Sequence, residues 1–197
     1  AAAYLDWAGL RPMTELEFEK AARGPDYPVV GEFAWGTAAA TQTLGLTNSG
    51  TAIEAPSNAG ANAVFLINFP APVEGPVRNG MFATPTSTRV QAGASYWGLM
   101  EMSGNVWEFA VTVANATGRG FTGLHGNGMI TLNGNAGVLN WPGYSAGEVT
   151  GANGSGLRGG SYQRTAIDMR VSSRIAANAQ IPHRAEDNGF RGVRTAQ

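Results

Sequence analysis

The sequence predicts an α+β domain of short elements joined by long irregular loops. Its 28 glycines and many asparagines are turn and loop residues. Against that background stand one clear helix start, at Thr14, and one alternating apolar stretch, from Val106. At 197 residues the chain is long enough for one full core. With 43% hydrophobic and 14% charged residues it is too sparsely charged for a solvated disordered tail. No repeat or linker divides it, so residues 1–197 are read as a single domain.

The elements follow in order. Ala1 to Ala8 reads as the end of a helix stopped by Gly9. Thr14 and Glu17 form a capping box, with Met13 and Phe18 as the flanking hydrophobic staple, and the helix runs over Glu15–Arg23 to Gly24-Pro25. Glu15, Glu17 and Glu19 are read as partners of the helix dipole on a solvated face. Gly36 to Gly80 reads as a loop-rich insertion with one short strand at Val64 to Asn68. Tyr96 to Phe109, with two tryptophans and glycines at turn positions, reads as a turn leading into a core strand. Gly118 to Gly160 is again rich in Gly and Asn, anchored by Phe121, Leu124, Trp141 and Tyr144.

The last forty residues carry most of the functional information. Leu157 to Ser161 reads as the start of a buried strand, and Asn188 to Arg194 as a turn and a closing strand. The segment between, Tyr162 to Asp187, keeps neither a period of 2 nor one of 3.6, so no face of it is committed to a core. A mixed aromatic, charged and amide surface held between two strands has the character of a binding surface; the plainer reading is an ordinary long loop.

Composition removes several classes of function. Net charge is -1 with a single lysine, Lys20, which disfavours a nucleic-acid partner, since phosphate binding needs clustered cations. No apolar run approaches the roughly 20 residues of a membrane span. There is no cysteine, so disulfides, thiolate metal sites and thiol catalysis are excluded. The chain opens at Ala1 in mid-pattern and without Met, as a trimmed or processed piece would.

Several blocks resemble one family. Gly9 to Glu19, Ala21-Ala22-Arg23-Gly24 and Ala34-Trp35-Gly36 resemble the opening block of the formylglycine-generating (sulfatase-modifying factor) family. Gly98-Leu99-Met100-Glu101-Met102-Ser103-Gly104-Asn105-Val106-Trp107-Glu108 resembles its central motif. Leu157 to Tyr162, Arg174 and Gly189-Phe190-Arg191 resemble its closing block. The resemblance implies a C-type-lectin-like fold, loop-rich and bearing a ligand face, with the family's preceding N-terminal region missing here.

The departures shape the expected function. The family's enzymes oxidise a substrate cysteine with paired cysteines and copper, and this chain has no cysteine, so no copper is expected. A related branch builds an iron site from histidines, of which there are only His125 and His183. What remains resembles a non-enzymatic branch, the variable proteins of diversity-generating retroelements, which end shortly after a Gly-Phe-Arg-Gly-Val-Arg strand. In those proteins a C-terminal segment, here residues 157–197, is diversified by adenine-directed mutagenesis and binds a protein or surface ligand. The resemblance thus implies ligand-binding positions at Tyr162, Gln163, Arg164, Thr165, Ile167, Asp168, Ser173, Ile175, Asn178, Gln180, Ile181, His183, Ala185, Glu186 and Asp187. Gln163, Gln180 and Glu186 do not arise from asparagine template codons. Arg158, Arg174 and Arg191 are read as clamps on loop carbonyls, and Val171, Phe190 and Val193 as core. The display face is expected to contain Tyr162, Ile175 and Ile181 as exposed apolar anchors.

The family also holds calcium around its Gly-Asn-x-Trp-Glu motif. Carried over, the ligands are the side chains of Glu101 and Glu108 and the carbonyls of Gly104 and Val106, a hard oxygen set suited to Ca²⁺. The plainer reading is that both carboxylates bond backbone amides in a tight turn. Two rival functions stand beside binding and display: a family enzyme with altered metal-dependent chemistry, and a non-variable lectin-like module. The expected location is the cell surface, the exterior or a phage particle.

Overall fold

The helix predicted from Thr14 forms with its capping box closed: Glu17 N–H donates to Thr14 Oγ1, and Glu17 Oε2 accepts from the Thr14 amide at 2.9 Å. The computed structural model describes residues 1–66, 70 and 72–196. In chain order the helices are α1 (Ala2–Trp7), α2 (Glu15–Arg23), α3 (Ala116–Arg119) and α4 (Ala166–Met169). The strands are β1 (Arg11–Pro12), β2 (Leu46–Thr47), β3 (Ala55–Pro56), β4 (Trp107–Val111), β5 (Tyr144–Ser145), β6 (Glu148–Val149), β7 (Ser155–Arg158), β8 (Asn188–Phe190) and β9 (Gly192–Val193). The protein is a mixed α/β, loop-rich structure with small sheets.

The main sheet has the order β7-β4-β8. Its middle strand, Trp-Glu-Phe-Ala-Val, is buried at four of five positions. It pairs antiparallel with β7, Glu108 opposite Arg158, and parallel with β8, Glu108 opposite Gly189. A parallel pair needs a long crossover, and here the chain from Thr112 to Asp187 supplies it. The ends of the chain meet, because β1 pairs antiparallel with β9.

Packing of the motif regions is close enough to require glycine. A Cβ on Gly104, where φ is +89°, would sit 2.5 Å from the Val64 carbonyl oxygen. A Cβ on Gly156 in β7 would sit 1.9 Å from the carbonyl oxygen of Ala177. The core is divided among several clusters. Met13, Phe18, Met102 and Val171 form one cluster, and Phe33, Trp35, Phe65 and Met169 another. Leu5, Val138 and Trp141 form a third.

Several expectations are corrected. Glu15 is not on a solvated face but 1% exposed, bonded to Arg158 and to the Val113 amide, because the polar edge of α2 packs against the sheet. Val64, Phe65 and Leu66 form no strand; their backbone bonds go to Asn105 N, Gln42 Nε2 and the Arg164 carbonyl, and Ile67 and Asn68 lie outside the described residues. The strand expected at Leu157–Ser161 ends at Arg158, since Gly159 and Gly160 take φ of +89° and +72°. The closing strand is split in two at Arg191. Phe190 is 38% exposed rather than core: it lies on an edge strand, with the Tyr4 ring edge-on at 5.9 Å.

Candidate functional site

The segment 161–187 is irregular, yet its backbone is anchored to the scaffold by main-chain hydrogen bonds. Tyr162 N–H donates to the Asn105 carbonyl at 2.8 Å, Val171 N–H to Glu32 at 3.0 Å, and Trp107 N–H to Asp187 at 2.8 Å. The Arg164 carbonyl accepts from Leu66 and that of Ala176 from Leu157, both at 2.8 Å. Ser103 Oγ bridges two layers, accepting from the Ala34 amide and donating to the Met169 carbonyl. None of these bonds uses a side chain between Gln163 and Glu186.

The side chains divide accordingly. Gln163, Arg164, Thr165, Ile167, Ile175, Asn178, Gln180, His183 and Glu186 are exposed, and Asp168, Ser173, Ile181 and Ala185 are half-buried. Ile167 and Ile175 reach 61% and 76% exposure. Two expected display residues are buried. Tyr162 is 3% exposed and packs with Val64, Val73 and Phe82. Asp187 is 7% exposed and accepts from Ser161 Oγ at 2.8 Å, which locks the two ends of the segment together. Both are scaffold, because the strand ends adjoining the sheet must bury what they carry.

The exposed residues fall into local groups. Gln163 Nε2 donates to Glu186 Oε1 at 3.1 Å. Asn178 Oδ1 accepts from Asn115 Nδ2 at 2.9 Å. Ile181, His183 and Ala185 lie along an open cleft of about 700 Å³ whose opposite walls come from α1 and from residues 134–152. Arg184, Trp141 and Phe109 line the same cleft and were not candidates from the sequence. No local pattern marks them, since its walls come from separated stretches of chain.

The arginines act as clamps, on carboxylates as much as on carbonyls. Arg158 donates to Glu15, Glu19 and the Val171 carbonyl, and stacks over the Phe18 ring at 5.2 Å. Arg174, partly exposed, reaches the Glu15 carboxylate at 2.8 Å. Arg191 donates to Glu108 Oε1 and the Met100 carbonyl.

Around the central motif two carboxyls are buried together. Glu101 is 7% exposed with φ of +59°, and Glu108 is 3% exposed. Burial pushes each carboxyl up to about 7, and the charge of Glu108 adds to the rise at Glu101, while Arg191 opposes both. Glu101 Oε1 accepts from the Gly80 amide at 3.3 Å. Glu108 Oε1 is satisfied by Arg191, but Oε2 is buried without a hydrogen-bond partner. Such an orphaned carboxylate oxygen costs free energy unless a donor or cation meets it. Two acidic side chains beside backbone carbonyls are the donor chemistry of a hard divalent cation. Among the described residues no cluster of three or more His, Asp or Glu side chains forms a metal-holding group.

The sulfatase-modifying factor enzyme 1-like domain model matches residues 1–196. The chain belongs to that family. The match spans the capped helix α2, the Glu101–Glu108 motif and the closing block, so all three motif regions lie inside a sulfatase-modifying-factor-like domain. No curated protein matches the chain significantly. The sulfatase-modifying-factor-like family includes enzymes and non-enzymatic members, and this member has no cysteine with which to run thiol chemistry. No helix among its described residues is long and apolar enough to cross a membrane.

Proposed function

We propose that this chain is a non-enzymatic, ligand-binding member of its family with a C-type-lectin-like fold, displaying a surface on the segment 162–187 that a retroelement diversifies. One observation carries the reading. The exposed side chains of that segment contribute little to holding it, while main-chain bonds and the buried Tyr162, Met169, Val171, Ala177 and Asp187 fix its backbone. A surface that tolerates many side chains needs a scaffold independent of them, with rigidly presented anchors supplying the binding energy. The binding positions are Gln163, Arg164, Thr165, Ile167, Asp168, Ser173, Ile175, Asn178, Gln180, Ile181, His183, Ala185 and Glu186. The ligand is a protein or another surface component, met at the cell surface, outside the cell or on a phage.

The proposal includes a structural calcium ion held by the side chains of Glu101 and Glu108 and the carbonyls of Gly104 and Val106. Its support is the partnerless Glu108 Oε2 and the two buried carboxyls that repel one another. The ion supplies positive charge that ties the turn before β4 to the strand itself.

Diversification is tested in the genome. The expected finding is a near-copy of the roughly 100 bases encoding the segment, beside a reverse transcriptase gene, with differences confined to template adenines. A single uniform sequence across isolates, and no such copy, would end the retroelement reading and leave a non-variable binding module.

A further inference from the structure

The cleft of about 700 Å³ has a chemistry of its own. Its size is that of a small-molecule site, and such sites combine mostly apolar walls with a few converging polar groups. Accessible apolar wall is supplied by Phe109, Val149 and Phe190, over the buried Leu5, Val111 and Trp141. The chain as a whole carries 14 acidic and 13 basic side chains. Yet no Asp or Glu is found among the described residues lining the cleft, whereas Arg184, Arg191 and His183 are. Arg191 is engaged by Glu108. Arg184 makes no ion pair and no side-chain hydrogen bond among the described residues, and it is exposed. Asn188, also in the lining, has its Nδ2 buried without a hydrogen-bond partner. Both of these groups are donors, and Arg184 is the accessible one.

We propose that this cleft binds a small carboxylate with an apolar body, its hydrocarbon against Phe109, Val149 and Phe190 and its carboxylate met by Arg184. A guanidinium is the donor best shaped for a carboxylate, and an acid-free wall places no like charge against the anion. The inference rests on the binding half of the proposed function and is independent of diversification. The walls are mostly scaffold; only Ile181, His183 and Ala185 of the candidate binding positions line them. The cleft is thus a fixed subsite beside the variable surface.

The test is calorimetric titration of the full chain with octanoate, with octanol and octylamine as controls. Octanoate is expected to give saturable heat, octanol to bind at least about tenfold more weakly, and octylamine not to bind, in line with the usual net worth of a charged hydrogen bond. Arg184→Gln should weaken octanoate about tenfold or more and leave octanol unchanged. Thr150→Trp, on the exposed scaffold rim, should block both. Thermal melts matching the parent chain show that each variant is folded. Absence of octanoate binding, equal binding of octylamine, or an unaffected Arg184→Gln variant overturns the proposal. None of these outcomes bears on whether the genome holds a templating copy, so the two readings fail separately.

Discussion

Arg158 and Glu15 stand 143 positions apart in sequence and 3.0 Å apart in the fold, each side chain 1% exposed. The pair joins β7, at the start of the closing block, to the first turn of α2. From it runs a chain of charges: Arg158 also meets Glu19, Glu19 lies 3.8 Å from Arg23, and Arg23 pairs with the buried Glu32. Glu32 in turn offers its carbonyl to Val171 in the candidate binding segment. Arg174 of that segment adds to the network through Glu15, so the segment is held with little help from the candidate binding side chains.

Removing one partner should therefore cost far more than removing both. Arg158→Met leaves the buried Glu15 carboxylate with only the partly exposed Arg174 opposite it, a loss of about 3 kcal/mol. Arg158→Met with Glu15→Gln should lose distinctly less, because the amide oxygen can still accept from the Val113 N–H. Denaturant unfolding of the two singles and the double measures the coupling. Additive losses would mean that the pair is not coupled.

The candidate segment should separate into tolerant and intolerant positions. Ile175→Ala and His183→Ala, both exposed, should change stability by no more than about 0.5 kcal/mol. Tyr162→Ala and Trp107→Ala, both buried, should each lose about 3–5 kcal/mol. Melting curves that showed Ile175 and Tyr162 equally sensitive would remove the distinction between display and scaffold.

What was legible in the sequence was local. Thr14 and Glu17 announce the capped helix because both halves of the box lie within one turn, and Trp107 to Val111 announces a core strand by its own pattern. Glu15 was misread because its exposure depends on Arg158, a residue with which it shares no sequence neighbourhood. Tyr162 was misread for the same reason: its partners Val64 and Val73 come from the loop-rich insertion and Phe82 from just beyond it. The cleft was not legible at all, since α1, the 134–152 loops and the 181–191 segment meet only in the folded chain. The family resemblance was legible because its motifs are short and contiguous.

Gly156→Ala should be among the most damaging single changes. The new methyl would lie 1.9 Å from the Ala177 carbonyl oxygen, a backbone atom that can yield only if the segment after Arg174 moves. A loss on the order of 4 kcal/mol or more is expected. Normal melting with unshifted amide exchange at Ala177 would show that the close approach is not made in solution.

The pH dependence of stability tests the buried carboxyls and the ion together. In chelator, Glu101 and Glu108 titrate at about 7 in the fold against an ordinary 4.5. A carboxyl raised in this way binds protons more tightly folded than unfolded, so its stabilising contribution is full below about pH 4.5 and is lost as pH climbs to about 7. Glu17 runs the other way: the Arg11 hydrogen bond lowers it to about 2, so its contribution is present above 4.5 and lost as pH falls towards 2. Its partial exposure keeps that contribution small. The melting temperature in chelator should thus decline between about pH 4.5 and 7. Calcium, which favours the ionised carboxylates, should restore it most at and above pH 7 and release protons on binding. Glu108→Gln should flatten the decline and weaken the calcium response, while Glu17→Gln should leave both unchanged. A melting temperature indifferent to calcium at pH 8 would sink the ion site and leave Glu108 Oε2 a strained feature of the scaffold alone.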